Sequence, residues 1–215
     1  MTRNCAVVFD FGGVLITPIT DRMVAMAAER NTTLPTLLEV LLGPHASGDH
    51  PWHRAERGEL AVADIQQQLE PWADVLGVCL TGDEIDTLLE PRYKMVQPMI
   101  DRIASLRAEG YITGLLTNTF AEFRPTLERD LDLGLFDVVI ESYAVQARKP
   151  EPAIYQATID ALGVDAFGID PGDIVYLDDF PQNIVGAQQA GWRTIHVTDI
   201  ARALADLDAV LASRS

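Results

Sequence analysis

Four short polar clusters, each next to the end of an apolar run, hold the residues of this chain best suited to chemistry. Asp10 closes "VVFD", Thr117 and Asn118 close "YITGLLTN", Lys149 stands in "ARKPEP", and Asp178 with Asp179 closes "DIVYLDD". Three carboxylates gathered in one partly buried place repel one another unless a cation binds them, and an all-oxygen ligand set favours a hard ion such as Mg²⁺. An ammonium, a hydroxyl and backbone N–H groups beside that ion make a cradle for an oxyanion. Phosphoryl transfer needs these parts, because its catalysis is mostly positioning and charge stabilisation. A carboxylate such as Asp10 can then attack phosphorus and form an aspartyl phosphate. Taken singly, each signal also has a structural explanation: an Asp after a strand forms turns, a paired Asp caps a helix, and Lys149 could be a solvated loop residue. Their order, and the strand end that each one shares, carry the argument.

The elements that must position them are legible. Apolar runs rich in β-branched residues recur at 4–9, 111–116, 136–140, 173–177 and 193–197, which predicts buried strands. Helical patterns separate the later runs: "PMIDRIASLRAEG" ends at Gly110, "EPAIYQATIDALG" at Gly163 and "NIVGAQQAG" at Gly191. Such alternation predicts an α/β, Rossmann-like fold with a mostly parallel sheet flanked by helices. In an open sheet of that kind ligands bind outside the carboxyl ends of the strands, where all four clusters fall. Residues 19–95 break the rhythm with four helical stretches and no convincing strand, so an all-helical segment inserted after the first strand is expected, with the turn-rich "GPHASGDHPWHRAERGEL" as a loop inside it. The expected organisation is a core of 1–18 and 96–215 with a helical cap of 19–95.

Bulk properties narrow the function classes. The chain has 215 residues, 48% of them apolar and 22% charged, which is ordinary composition for a folded soluble protein with a sizeable core. A net charge of −16, from 32 acids against 16 bases, argues against nucleic acid or an anionic membrane as partner. Cys5 and Cys79 show no metal-ligand spacing and read as reduced, buried thiols. No run approaches a membrane span or a signal sequence, so a cytoplasmic location is the expectation. Oligomeric state is not legible.

The chain resembles the haloacid dehalogenase-like hydrolase superfamily, of the type with a helical (C1) cap after the first strand and on its phosphatase-like branch. "VVFDFGGVL", "ITGLLTNT", "RKPEPAIY" and "IVYLDDFPQNIVGAQQAGW" are similar to its four motifs, in order and across the whole core. The resemblance implies Asp10 as nucleophile and metal ligand, with the carbonyl of Gly12 as a second ligand. It implies Thr117 and Asn118 as holders of a phosphoryl oxygen, with Gly12 and Gly13 beside the phosphate. Lys149 would steady both nucleophile and phosphate, and Asp178 and Asp179 would hold Mg²⁺ directly or through water, Asp179 being the better inner ligand by analogy. The implied activity is a Mg²⁺-dependent phosphatase acting on a small phosphate ester. The segment "WHRAERGEL" is also similar to members that act on sugar phosphates.

One position departs from the pattern. Phosphatases of this superfamily usually carry a second Asp two residues after the nucleophile, to protonate the leaving oxygen and later activate water. Here that residue is Gly12, and a positioned acid or base is worth roughly 10²–10⁴ in rate. Three explanations are open. The leaving group departs unaided, as an anomeric, aryl or acyl oxygen would; or a cap residue among His45, His50, His53 and Glu56 supplies the proton; or turnover is lost and a phospholigand-binding protein remains. The histidines are expected to be exposed, and Trp52 to anchor its loop; Trp72 and Trp192 read as packing residues. A haloacid dehalogenase would also use Asp10, against carbon, but needs no cation, so the Asp178–Asp179 pair counts against it.

Overall fold

The computed structural model describes residues 4–18, 20–43, 48–78, 80–90, 92–163 and 167–213. Among them five strands, β1 (Ala6–Phe9), β2 (Ile112–Thr117), β3 (Val138–Glu141), β4 (Ile174–Asp178) and β5 (Arg193–His196), form one parallel sheet in the order β3-β2-β1-β4-β5. The α/β, Rossmann-like expectation holds, and the strands lie within two residues of the predicted runs. Every residue of β1, β2 and β4 is buried, as a parallel sheet covered on both faces requires.

The pleat sorts their side chains. Val7 and Phe9 of β1 point into one apolar layer, together with Leu115, Val175 and Leu177, while Ala6 and Val8 point into the other with Leu116, Ile174 and Tyr176.

Ahead of β2 in the chain lie helices α1 (Thr20–Glu29), α2 (Leu34–Leu42), α3 (Pro51–Glu56), α4 (Ile65–Leu76), α5 (Gly82–Leu89) and α6 (Gln97–Ala108). After β2 come α7 (Arg124–Asp130), α8 (Ser142–Val145), α9 (Pro152–Leu162), α10 (Pro181–Gln189) and α11 (Ile200–Ala212). Helices α6, α7 and α11 cover the Phe9 face through Met99, Ile103, Leu127 and Leu207. Helices α9 and α10 cover the other face through Ile154, Tyr155, Leu162 and Ala187.

Helices α1–α5 share a third apolar cluster, with Met23, Leu37, Leu41, Trp52, Ile65 and Leu69 in it. Two short connections join this segment to the sheet: Ile16 pairs antiparallel with Met95, the Thr17 N–H donates to the Lys94 carbonyl at 2.9 Å, and the Val96 N–H donates to the Leu15 carbonyl at 2.8 Å. A further set of contacts ties it down elsewhere. Glu56 pairs with Arg148, Arg57 with Glu151 at 2.9 Å, and the Val62 N–H donates to Glu122 at 3.1 Å.

The turn-rich segment is not all loop. Residues 51–56 form α3, because the His50 ring accepts from the Trp52 N–H as an N-cap, Pro51 starts the first turn, and Trp52 and Ala55 gain burial. Nor are its histidines exposed. His50 and His53 are both buried, with ring nitrogens bonded to the carbonyls of Val40 and Leu42, so they fasten α3 to α2. Burial and the neighbouring His53 lower the His50 pKa to about 4, which keeps the ring neutral. His45 and Cys79 lie outside the described residues; Cys5 is buried. Trp72 packs edge-on against His50, and Trp192 against Tyr155 and Tyr176, in the packing roles expected of them.

Helix α10 can lie so close to α9 only because residue 186 is glycine. A Cβ there would sit 2.7 Å from the Tyr155 ring, and that ring is fully buried with its hydroxyl donating to the Asn183 carbonyl at 2.9 Å. Gly186→Ala is therefore expected to destabilise the fold by about 1–3 kcal/mol despite the better helix propensity of alanine, read as a lower midpoint in urea unfolding.

Candidate active site

The register of the sheet sets the site. Phe9 lies beside Leu115 on one side and Leu177 on the other, so Asp10 is level with Leu116 and Asp178, and the Asp10 N–H donates to the Leu177 carbonyl at 2.9 Å. By the same alternation Asp10, Tyr176 and Asp178 share the face that carries Ala6 and Val8. Into that face comes Lys149. Its ammonium, 1% exposed, donates to Asp10 at 2.6 Å, to Asp178 at 2.9 Å, to the Tyr176 hydroxyl at 3.0 Å and to the Leu116 carbonyl at 3.1 Å.

Asn118 places the lysine. Its side-chain oxygen accepts from the Lys149 N–H at 2.8 Å and its amide donates to the Lys149 carbonyl at 3.0 Å, so one side chain satisfies both backbone groups of that residue. Thr117 is buried at the end of β2, and the next link, the Thr119 N–H, donates to Ser142 at 2.9 Å.

The two adjacent aspartates differ sharply. Asp178 is fully buried and both of its oxygens are engaged: one accepts from the Phe180 N–H at 2.7 Å and from Asn183 at 3.1 Å, the other from Lys149, Tyr176 and Asn183. Asp179, by contrast, keeps a buried oxygen, Oδ1, with no partner, and its other oxygen lies over Gly13, where a Cβ would stand 2.1 Å away. Gly13 also has φ +68°, a conformation that glycine adopts without strain. Carboxylate oxygens of Asp10, Asp178 and Asp179 come within 4.8 Å of one another. An unsatisfied buried oxygen, three acids and a single ammonium fit a hard cation, with Asp10 and Asp179 the free hands and Asp178 the already saturated one.

The electrostatics agree. Burial lifts the Asp10 pKa to about 7, against the pull of Lys149 and with a push from Asp178. Burial, then Asp10 and Asp178, lifts Asp179 to about 8. Burial alone would lower Lys149, but the two carboxylates that it touches hold it above its ordinary value.

Of the residues singled out in the sequence, Asp10, Lys149, Asp178 and Asp179 thus converge, with Asn118 clamping the lysine and Gly12, Thr117 and Asn118 lining a cleft that starts at Asp10. Three participants were not foreseen. Tyr176 lies two residues before Asp178 and so on its face of β4, a signal that the strand period contains. Asn183 opens the helical pattern that closes at Gly191, which gives no sign of a contact with Asp178. Arg148, paired with Glu56, was hidden because the pairing joins residues 92 apart in sequence. Among the described proton sources suggested for the cap, only Glu56 lines the cleft; His50 and His53 do not.

The class that this fold and site define is confirmed by comparison. Residues 6–191 match the profile of the haloacid dehalogenase-like hydrolases, and the chain belongs to that family. It is 28% identical to mouse acyl-CoA dehydrogenase family member 10 over 96% of its own length and 26% identical to the sesquiterpene phosphatase astK of Aspergillus oryzae over 90% of each chain. It spans only 19% of the first of these and 21% of the rat bifunctional epoxide hydrolase 2, to which it is 34% identical over 55% of its length. Among solved structures, a family enzyme of Bacteroides thetaiotaomicron, in complex with magnesium and inorganic phosphate, superposes with a TM-score of 0.61 at 21% identity, covering 89% of this chain and 93% of the other. The L-2-haloacid dehalogenase of Xanthobacter autotrophicus, with chloropropionic acid covalently bound, also reaches 0.61, at 19% identity, over 92% and 78%. Both likenesses show the fold. No described helix is long and apolar enough to cross a membrane.

The raised carboxyl groups make a prediction for the metal-free protein. Asp10 and Asp179 hold protons in the folded state up to about pH 7 and 8, whereas in the unfolded chain they lose them near the ordinary aspartate value of 3.8. The folded state then binds more protons across that window, so the stability these two groups contribute is fully present below about pH 4 and is lost as pH rises to about 8. Melting temperatures in EDTA should follow this course, and Mg²⁺ should raise them more at pH 8 than at pH 5.

Proposed function

We propose that this hydrolase is a Mg²⁺-dependent phosphatase acting on a small phosphate monoester, with Asp10 as the nucleophile. The observation that carries this reading is the charge imbalance at the strand ends: one buried ammonium faces three acids, and Asp179 keeps an unpartnered oxygen beside Asp10. A cation held there by Asp10, Asp179 and the Gly12 carbonyl, with Asp178 steadying the shell, would supply charge neutralisation for the phosphoryl oxygens.

The chain's own groups do the rest. Lys149 holds the Asp10 carboxylate by one oxygen, which orients it for attack and pulls toward its ionised form against the effect of burial. Thr117 and the backbone near Asn118 receive a phosphoryl oxygen, while Asn118 keeps the lysine in place. The P–O bond of the ester breaks as the Asp10–phosphorus bond forms, and water then attacks phosphorus and restores the carboxylate. In this reading residues 1–18 and 96–215 are the catalytic core, and 19–95 are a cap whose Trp52 and Glu56 line the cleft over Asp10. The similarity to a sesquiterpene phosphatase over nearly the whole length of both chains supports it. Dehalogenation would leave the Asp179 oxygen without a purpose.

The test is phosphate release from p-nitrophenyl phosphate. Release should require Mg²⁺, vanish in EDTA, and fall to background in Asp10→Asn; Asp179→Asn should raise the Mg²⁺ concentration needed for half-maximal rate at least tenfold. Undiminished turnover in EDTA would sink the proposal.

A further inference from the structure

The cleft has a volume of about 360 Å³ and its walls are largely apolar, with Phe11, Leu42, Trp52, Phe120, Phe123 and Phe180 among them. Trp52 meets Phe120 edge to face at 5.0 Å between centroids, and Phe120 meets Phe123 at 6.2 Å. The charged groups on these walls are already engaged. Arg148 is paired with Glu56 and Arg92 with Glu90; Arg22 donates to the carbonyls of Thr87 at 3.0 Å and Glu90 at 2.9 Å. Apolar surface entering here gains from burial, whereas a polyhydroxylated group would give up water for the uncharged polar side chains of the walls, Thr17, Thr119 and Gln182 among them.

A second, independent observation concerns the proton. The acids facing the cleft outside the aspartate cluster are Glu56, Glu90 and Tyr93 among the described residues. Glu56 accepts from Trp52 at 3.0 Å through one oxygen and from Arg148 and Asn118 through the other; Glu90 is paired with Arg92; and the Tyr93 hydroxyl donates to Asp130 at 2.8 Å. Both glutamates are thus committed to a guanidinium and the phenol to Asp130, so none of the three is left free to reach a leaving oxygen. At Gly12 an ideal Cβ has nothing within 4 Å, so the place from which an acid would act is open space.

We infer that the substrate is an aryl phosphate: a monoester whose leaving group is both apolar, to match the walls, and acidic enough to depart as an anion without a proton donor. The inference rests on the phosphatase reading and narrows it. In the step implied, an oxygen of Asp10 bonds to phosphorus while the P–O(aryl) bond breaks. The bonding pair leaves on the aryl oxygen, and the aryloxide takes its proton from solvent. Water then attacks phosphorus, the Asp10–phosphorus bond breaks, and one proton passes to solvent as inorganic phosphate departs.

The experiment is kcat/KM, which reports the step in which the leaving group departs, for the full chain with Mg²⁺ on a series of substituted phenyl phosphates, hexyl phosphate and glucose 6-phosphate. From p-nitrophenyl to phenyl phosphate the value should fall by about 10²-fold or more, as expected without general acid catalysis, and the alkyl and sugar esters should lie below phenyl. Gly12→Asp, which places a carboxyl in the open space, should raise the phenyl and hexyl esters by about tenfold or more and flatten the series. A change of less than about threefold across the wild-type series, or hexyl or glucose 6-phosphate turned over as well as phenyl phosphate, overturns the inference while leaving the phosphatase reading intact. Silence on every ester overturns that reading and this one with it. Should Gly12→Asp fail to fold, the wild-type series decides alone.

Discussion

One buried ammonium holds the functional end of this molecule together. Lys149 touches a carboxylate at the end of β1, a carboxylate at the end of β4 and a carbonyl near the end of β2, so a single cation ties three neighbouring strands at the edge where their side chains converge. A charge removed from water is costly unless it is paired and its remaining hydrogens are satisfied, and here both conditions are met by four acceptors. The reverse also holds: without the lysine, the acids at this edge would face one another in a place that water cannot screen.

The cation is enough for two acids and not for three. Asp178 takes its share of the ammonium and adds Tyr176, Asn183 and the Phe180 N–H, which leaves it saturated and fixed. Asp179, the next residue, finds no donor for Oδ1. Adjacent residues of one type therefore play different parts, because the donors at this edge are taken by Asp10 and Asp178. The glycine at 13 belongs to the same arrangement, since any larger residue would occupy the space of the Asp179 carboxylate.

Much of this was legible in the sequence. The five apolar runs and the polar residues that follow them placed the sheet and the edge where the acids gather, because a parallel strand buried on both faces is mostly apolar and its polar residues collect toward its end. Asp10 and Asp178 could be paired by their equivalent positions at strand ends. What was not legible depends on direction and distance in space. "GPHASGDHPWHRAERGEL" has the polar composition of a loop, yet two of its histidines are buried as backbone partners of α2, a role set by what packs over them. The ion pair of Glu56 with Arg148 leaves no local periodicity to read, and neither does the emptiness around Gly12.

That ion pair links the two halves of the site. Arg148 immediately precedes Lys149, so the loop that carries the ammonium is gripped on one side by Asn118 of the core and on the other by Glu56 of α3. Trp52 reinforces the grip, donating to the same glutamate while its ring packs on Phe120 from the end of β2. A shift of α3 away from the sheet would therefore break the Glu56–Arg148 pair and open the apolar wall over Asp10 in one movement. With both partners buried, breaking the pair would strand two charges that have little access to water, which favours the closed arrangement. A ligand too large for the closed cleft would have to meet that cost or replace the contact, and apolar surface buried between Trp52, Phe120 and Phe123 is the compensation that these walls can give.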